Sequence, residues 1–199
     1  MKKTIITIGR EYGSGGREIG EKLARRLGWK FYDKELIGAI AEKTMMPKSV
    51  IAQSDERIGK RNIFQEIFPI FANDATDQDK YIFEQQGQFI VELAGKENCV
   101  IIGRRADYYL RNEPQALNLF FYADLEFRAE RIARSDGCTI EEAKVRIADM
   151  DKKRRTSYEY TTNRKWADMH NYDRMICTST FGVDAVVDEI VELVQKDIL

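Results

Sequence analysis

A β-branched run, Thr4-Ile5-Ile6-Thr7-Ile8, passes through a glycine-rich turn into a helical stripe, and this sequence of elements leaves the chain few folds to adopt. The run is apolar without alternation, so it predicts a parallel strand buried on both faces. Gly13-Ser14-Gly15-Gly16 follows, and Ile19, Leu23 and Leu27 then recur at the spacing of one helix face. Gly20 and Ala24 lie beside that stripe and permit close packing on a sheet, and Gly28 is positioned to stop the helix. Strand, glycine turn and helix together suit an anion. The first N–H groups of a helix have no internal partner, the helix dipole adds positive charge at that end, and glycines let the backbone curl around a ligand. The alternative is a tight connection that binds nothing.

The same alternation continues along the chain. Phe31-Tyr32 predicts a short second strand ending at Asp33, and a helical pattern runs from Lys34 to about Asn98. Within it Leu36, Ile37, Ile40 and Ala41 form one stripe, and Pro47 suits the first turn of another helix. Asn62 to Asp79 is ambiguous. It holds Phe64, Ile67, Phe68, Ile70 and Phe71 and then a polar stretch, Asn73 to Asp79, that reads as a loop before a helix at Tyr81 to Ala94. Cys99 to Gly103 and Leu117 to Tyr122 predict the third and fourth strands, with Asp124 as a cap for the next helix. Thr139-Ile140-Glu141-Glu142 has the pattern of a capping box, Met175-Ile176-Cys177 predicts a fifth strand, and Val183, Val186, Val187, Ile190, Val191 and Val194 mark a final helix. Strands alternating with helices imply a parallel sheet covered on both faces, and 199 residues favour one domain, 1–199.

Composition removes several classes of function. The chain carries 32 basic and 33 acidic side chains, so it lacks the global positive field of a protein that binds nucleic acid polymers. Cys99, Cys138 and Cys177 are too far apart for a zinc site or a disulfide framework, and a reducing cytoplasm is the expected location. The apolar run after Met1-Lys2-Lys3 ends at Gly9, too short for a signal core, and no stretch is long enough to span a membrane. His170 is the only histidine, which excludes a histidine metal cluster.

The glycine turn departs from the phosphate-loop pattern G-x-x-x-x-G-K-[ST]. With Gly15 as the last glycine, Gly16 stands at the lysine position, Arg17 at the hydroxyl position and Arg10 at the opening glycine. Arg17 offers a planar bidentate donor for phosphate, or is a solvated arginine in the first turn. Gly103-Arg104-Arg105 with Asp107 ends the third strand, the edge at which open parallel sheets bind ligands. Two arginines there suit an acceptor phosphate, or surface salt bridges. Asp33 ends the second strand at the same edge, as a partner for a sugar hydroxyl or a metal-bound water, or as a helix cap. A basic stretch holds Arg128, Arg131, Arg134, Arg146, Lys152, Lys153, Arg154 and Arg155. An arginine lid stabilises a phosphoryl group in flight, but the interleaved acids favour a solvated face for most of these residues. Tyr158, Tyr160, Tyr172 and Trp166 are candidates for stacking on a base or for ordinary packing.

Taken together, Ile6-Thr7-Ile8-Gly9-Arg10-Glu11-Tyr12-Gly13-Ser14-Gly15-Gly16-Arg17, Phe31-Tyr32-Asp33-Lys34-Glu35-Leu36, Val100-Ile101-Ile102-Gly103-Arg104-Arg105-Ala106-Asp107-Tyr108, Asp151-Lys152-Lys153-Arg154 and Asn171-Tyr172-Asp173 resemble the cytidylate kinase-like family. The resemblance implies a three-layer α/β/α P-loop fold of the nucleoside monophosphate kinase type, with five parallel strands ordered 2-3-1-4-5. Residues about 34–98 would be an acceptor-binding helical insertion, and residues about 134–160 a lid. The implied reaction moves the γ-phosphoryl of ATP, with Mg2+ held mainly by phosphates and water, onto a small phosphorylated acceptor such as CMP. By the same resemblance Gly13, Ser14, Gly15, Gly16 and Arg17 would hold the donor phosphates, and Asp33, Arg104, Arg105 and Asp107 would face the acceptor. Arg17, Arg131 and Arg154 would carry the catalytic charge. The family pattern has an acidic residue where this chain has Ile102. The alternatives are a nucleotide-binding sensor that has lost catalysis and a kinase for a non-nucleotide metabolite.

Overall fold

Ile5, Ile6, Thr7 and Ile8 are all buried, as a strand covered on both faces requires. They belong to β1 (Ile5–Arg10), the middle strand of a five-stranded sheet. The structure, a computed structural model, describes residues 4–33, 35–45, 47–49 and 73–196. Among these residues the chain continues through α1 (Gly16–Leu27), β2 (Lys30–Tyr32), α2 (Glu35–Thr44), α3 (Asn73–Ala94), β3 (Cys99–Ile102), α4 (Ala106–Tyr109) and β4 (Ala116–Tyr122). It ends with α5 (Leu125–Asp136), α6 (Ile140–Thr162), β5 (Arg174–Cys177), α7 (Thr178–Phe181) and α8 (Val183–Gln195).

The strands lie in the order β2-β3-β1-β4-β5, and every pairing is parallel. Alternate residues feed opposite layers. Ile6, Ile8, Val100, Ile102, Leu117, Leu119 and Phe121 pack with α1 and α8, whereas Ile5, Cys99, Ile101 and Ala116 pack with α2, α3 and α4. One polar pair crosses the buried sheet, where the Thr7 hydroxyl donates to Asn118 Oδ1 at 2.7 Å and satisfies both groups. The expected stop at Gly28 is present, with φ 69° and its N–H bonded to the Ala24 and Arg25 carbonyls. The capping box at Thr139 and Glu142 opens α6.

Two local expectations are corrected. Asn73 to Asp79 is not a loop but the start of α3; the stretch holds neither Gly nor Pro, so no break signal stops the helix from extending over it. Asp124 stands at the N-cap of α5, yet its carboxylate accepts the Ser179 hydroxyl at 2.8 Å and makes no capping bond. The apolar residues Phe64, Ile67, Phe68, Ile70 and Phe71 lie outside the described residues.

Because all five strands run the same way, their carboxyl ends share one edge. β1 sits between β3 and β4, so successive connections leave it on opposite sides, and a crevice opens at that switch. Arg10, Asp33 and Gly103 all lie there, at or just beyond the ends of β1, β2 and β3.

Candidate active site

The loop from β1 into α1 has the geometry of an anion cradle. Gly13 and Gly15 adopt φ of 84° and 86°, a region that favours glycine, and Gly15 stands at the N-cap of α1 with no side chain of its own to bond the first-turn N–H groups. Buried contacts hold the loop in this form. The Ser14 hydroxyl donates to the Glu11 carbonyl at 2.9 Å, and Thr178 Oγ1 at the start of α7 donates to the Ser14 carbonyl at 2.6 Å. Ser14 therefore shapes the loop through its side chain and offers the cradle its backbone.

A second set of contacts ties the loop to α6. Asp151 Oδ1 accepts the Tyr12 backbone N–H at 2.7 Å, and its Oδ2 accepts Arg128 Nη1 at 2.6 Å. Arg128 also faces Glu11 Oε2 at 3.5 Å, and Arg154 Nη1 donates to the Arg10 carbonyl at 3.0 Å while lying over the Tyr12 ring. Burial is the main influence on Glu11 and raises its carboxyl above the ordinary range, against the Ala123 N–H and the Arg128 charge. Charge pattern placed most of the basic residues of this region on a solvated face. Arg134, Arg146, Lys152 and Arg155 are exposed, but Arg128 is buried because Asp151 and Glu11 meet it from two sides.

Beside the loop lies a cleft of about 310 Å³ at the ends of β1, β2 and β3. Arg10, Arg104, Lys153 and Arg154 line it together with Asp33, and Trp166, Tyr158 and Tyr172 form an aromatic wall. Gly103, Arg104 and Arg105 turn out of β3 at φ of 65°, 56° and 58°. Two successive non-glycine residues in the left-handed region are a strained connection, a kind concentrated at ligand sites. Arg105 is buried in the wall as a strut. It donates through Nη1 to Ser157 Oγ at 3.1 Å and through Nη2 to Gln86, and it lies 5.2 Å from the Phe83 ring centroid. Its position is thus fixed by α3 and α6. Gln86 and Ser157 carry no sequence signal for this role, since each stands among other polar residues of its helix.

The other candidate residues separate. The Arg17 side chain leaves α1 toward β2, where Nε donates to Asp33 at 2.8 Å and Nη1 pairs with Glu21 at 2.8 Å. Arg131 stands on the opposite side of the loop, next to Gly15, and donates to Glu18 at 2.8 Å. Arg154 and Arg131 therefore flank different parts of the loop, and only Arg154 lines the cleft. Asp107 is buried in the cleft wall and accepts the Tyr158 hydroxyl at 2.6 Å. Burial pushes its carboxyl up to about 6, against the Tyr158 hydrogen bond and the charges of Arg105 and Arg164. Burial first, and then Asp107, push the Tyr158 and Tyr172 phenols above their ordinary range.

A raised carboxyl binds its proton more tightly in the folded state. Its contribution to stability is complete below the unfolded value of 3.8 and is lost as pH rises through about 6. Asp107→Asn keeps an acceptor for Tyr158 and does not titrate. The melting temperature of the wild-type protein is expected to fall relative to Asp107→Asn as pH is raised from about 4 to about 7. Parallel melting profiles for the two proteins over that interval would contradict the assignment.

The strand order, the glycine cradle at the end of the first strand and the cleft beside it define a P-loop kinase fold. The chain belongs to the cytidylate kinase-like family, whose profile matches residues 5–180. It is 29% identical over 182 residues to a cytidylate kinase of Pyrococcus furiosus, a match covering 92% of this chain and 83% of that protein. A cytidylate kinase of Methanopyrus kandleri is 26% identical over 200 residues, covering 94% and 95% of the two chains. Among solved structures, an uncharacterized protein from Eubacterium ventriosum superimposes with a TM-score of 0.72 at 28% identity, over 97% of this chain and 99% of that one. A shikimate kinase from Bacteroides thetaiotaomicron shares the fold, with a TM-score of 0.54 at 15% identity over 96% and 98% of the two chains. The family and its kinase relatives support nucleotide or small-molecule kinase activity. Among the described residues no helix is long and apolar enough to cross a membrane, and no cluster of His, Cys, Asp or Glu is arranged to hold a metal ion.

Proposed function

We propose that this protein transfers the γ-phosphoryl group of ATP to a small phosphorylated acceptor, a nucleoside monophosphate such as CMP. The observation that carries this reading is the cleft at the ends of β1 to β3, in which Arg104, Lys153 and Arg154 converge beside the glycine cradle. ATP would lay its phosphates along Gly13 to Gly16 and the first turn of α1, with magnesium arriving on the nucleotide and held by phosphates and water. The acceptor phosphate would sit against Arg104 and Arg154, with Asp33 and the aromatic wall around the rest of the molecule. An acceptor phosphate oxygen forms the new bond to the γ-phosphorus as the bond from that phosphorus to the β-phosphate oxygen breaks, leaving ADP and a nucleoside diphosphate. The attacking oxygen already carries negative charge, so the reaction needs positioning and charge neutralisation more than a base. Residues about 34–98 would hold the acceptor, and residues about 134–160, most of them in α6, would serve as the lid. Arg131 beside Gly15 and Arg17 bound to Asp33 would add charge on the donor and acceptor sides.

The test is ADP release from ATP-magnesium across a panel of nucleoside monophosphates, sugar phosphates and unphosphorylated metabolites. A rate that rises with one phosphorylated acceptor is expected, and the same background rate with every compound would sink the proposal. A second reading is a sensor that binds nucleotide without turnover, favoured by the glycine at the lysine position. It predicts saturable ATP binding and no acceptor-dependent ADP.

A further inference from the structure

The loop lysine of phosphate-binding loops projects from the first residue of the helix, and in this chain that residue is Gly16. A Cβ at position 16 would stand 2.7 Å from Arg10 Cβ and 3.1 Å from Arg10 Cγ. A side chain at 16 and an arginine at 10 therefore exclude one another. The Arg10 side chain then runs on to the end of β3, where any side chain at position 103 would overlap Arg10 Nη1. Gly16 and Gly103 thus frame a channel for one long side chain, which leaves β1 and ends in the cleft wall.

The geometry points to Arg10 as the cation of the loop: it supplies to the transferred phosphoryl group the positive charge that a lysine at position 16 supplies elsewhere. The charge is moved from the helix to the strand, and the glycine at position 16 leaves room for the Arg10 stem. This rests on the kinase reading above and adds a reacting-group contact to it.

Three further observations agree. The Arg10 backbone is fixed, because its carbonyl accepts Arg154 Nη1 at 3.0 Å and its strand is paired to Phe121 of β4. Its guanidinium shares the cleft with Arg104 and Arg154, and the carboxylate that opposes them, Asp33, is bound to Arg17. Burial first, and then the charges of Arg154, Arg104 and Arg17, lower the Arg10 guanidinium to about 9, with Asp33 acting the other way. Crowding like charges around one partly neutralised group is unfavourable until an anion enters, and the planar fork of arginine can bond oxygens of donor and acceptor at once.

The experiment compares wild type with Arg10→Gln, Arg10→Lys, Arg10→Gly, Gly16→Lys and the double variant Arg10→Gly/Gly16→Lys. Turnover with the best acceptor, MgATP affinity by calorimetry and melting temperature are read for each. Arg10→Gln is expected to lose about 100-fold or more in kcat, as when a preorganised donor to the transition state is removed. Arg10→Lys should retain more activity than Arg10→Gln. Gly16→Lys alone should melt lower and lose activity, because Arg10 occupies its space. The double variant, which rebuilds G-x-x-x-x-G-K, should exceed Arg10→Gly by about tenfold or more in kcat. A purely structural Arg10 would move melting temperature and kcat together and would gain nothing from a lysine at 16. The proposal is overturned if Arg10→Gln, folded as wild type, keeps kcat within about threefold, or if the double variant is no better than Arg10→Gly. If wild type turns over no acceptor, the kinase reading falls, and MgATP affinity decides the role of Arg10. Binding weakened about tenfold in Arg10→Gln supports it, and unchanged binding, or none in wild type, overturns it.

Discussion

Asp151→Ala is expected to lower the melting temperature by about 6–12 °C, the shift for a loss of about 3 kcal/mol in a chain of this length. The Asp151 carboxylate does two jobs at once. It accepts the Tyr12 N–H of the phosphate loop and pairs with Arg128 on α5. The two side chains are only 13% and 10% exposed, so removing one leaves a charge that water reaches poorly. Glu11 lies 3.5 Å from Arg128 and recovers part of the loss, which is why the expected value sits at the lower end of the range for breaking a buried pair. The Tyr12 N–H loses its partner in the same substitution. Asp151→Asn keeps an acceptor for that N–H and removes only the charge, so it should melt between wild type and Asp151→Ala. Calorimetric melting checks this, and a change below about 2 °C for Asp151→Ala would show that the link between α6 and the loop contributes little to stability.

Arg104→Ala is expected to lower kcat/KM for the acceptor by about 10- to 100-fold, the equivalent of about 1.5–3 kcal/mol for hydrogen bonds to a charged group. The effect should fall mainly on the acceptor KM, with the KM for ATP changed much less. The substitution is a clean probe of the side chain. Position 104 has φ 56°, and alanine carries a Cβ as arginine does, so the backbone strain is unchanged. Arg104→Lys should recover only part of the loss, because an ammonium lacks the planar fork. Steady-state kinetics with each substrate varied in turn checks the split. An unchanged acceptor KM in Arg104→Ala would remove Arg104 from the acceptor site.

The strands were legible because each is a short apolar run, and their order followed from the family resemblance rather than from periodicity. Bounds moved only slightly, as where β1 runs on to Arg10 and β5 begins at Arg174. The start of α3 was not legible, because polar residues at Asn73 to Asp79 carry the composition of a loop, although they run without a Gly or Pro break into the apolar-patterned segment from Tyr81. The cradle was legible from Gly13 and Gly15, whose need for positive φ is written in their identity. The arginines were not. Arg128, Arg131 and Arg154 look alike in a charge pattern, and only the fold sets Arg128 against Asp151 and Glu11, Arg131 beside Gly15 and Arg154 in the cleft. Asp151 was visible as part of a motif but not as the partner of a backbone N–H 139 residues away. Arg10 did leave a signal, an arginine following a buried strand with glycine at the lysine position, but its meaning depends on the distance between two Cβ positions.

Phosphoryl transfer is read by following the label from ATP carrying 32P in the γ position through a single turnover with CMP and with each other nucleoside monophosphate. Wild-type protein is expected to move the label into a nucleoside diphosphate for at least one of them, and Arg104→Ala, with the acceptor held below its KM, to do so about 10- to 100-fold more slowly. Label found only in ATP and inorganic phosphate, whatever the acceptor, would contradict phosphoryl transfer in this cleft.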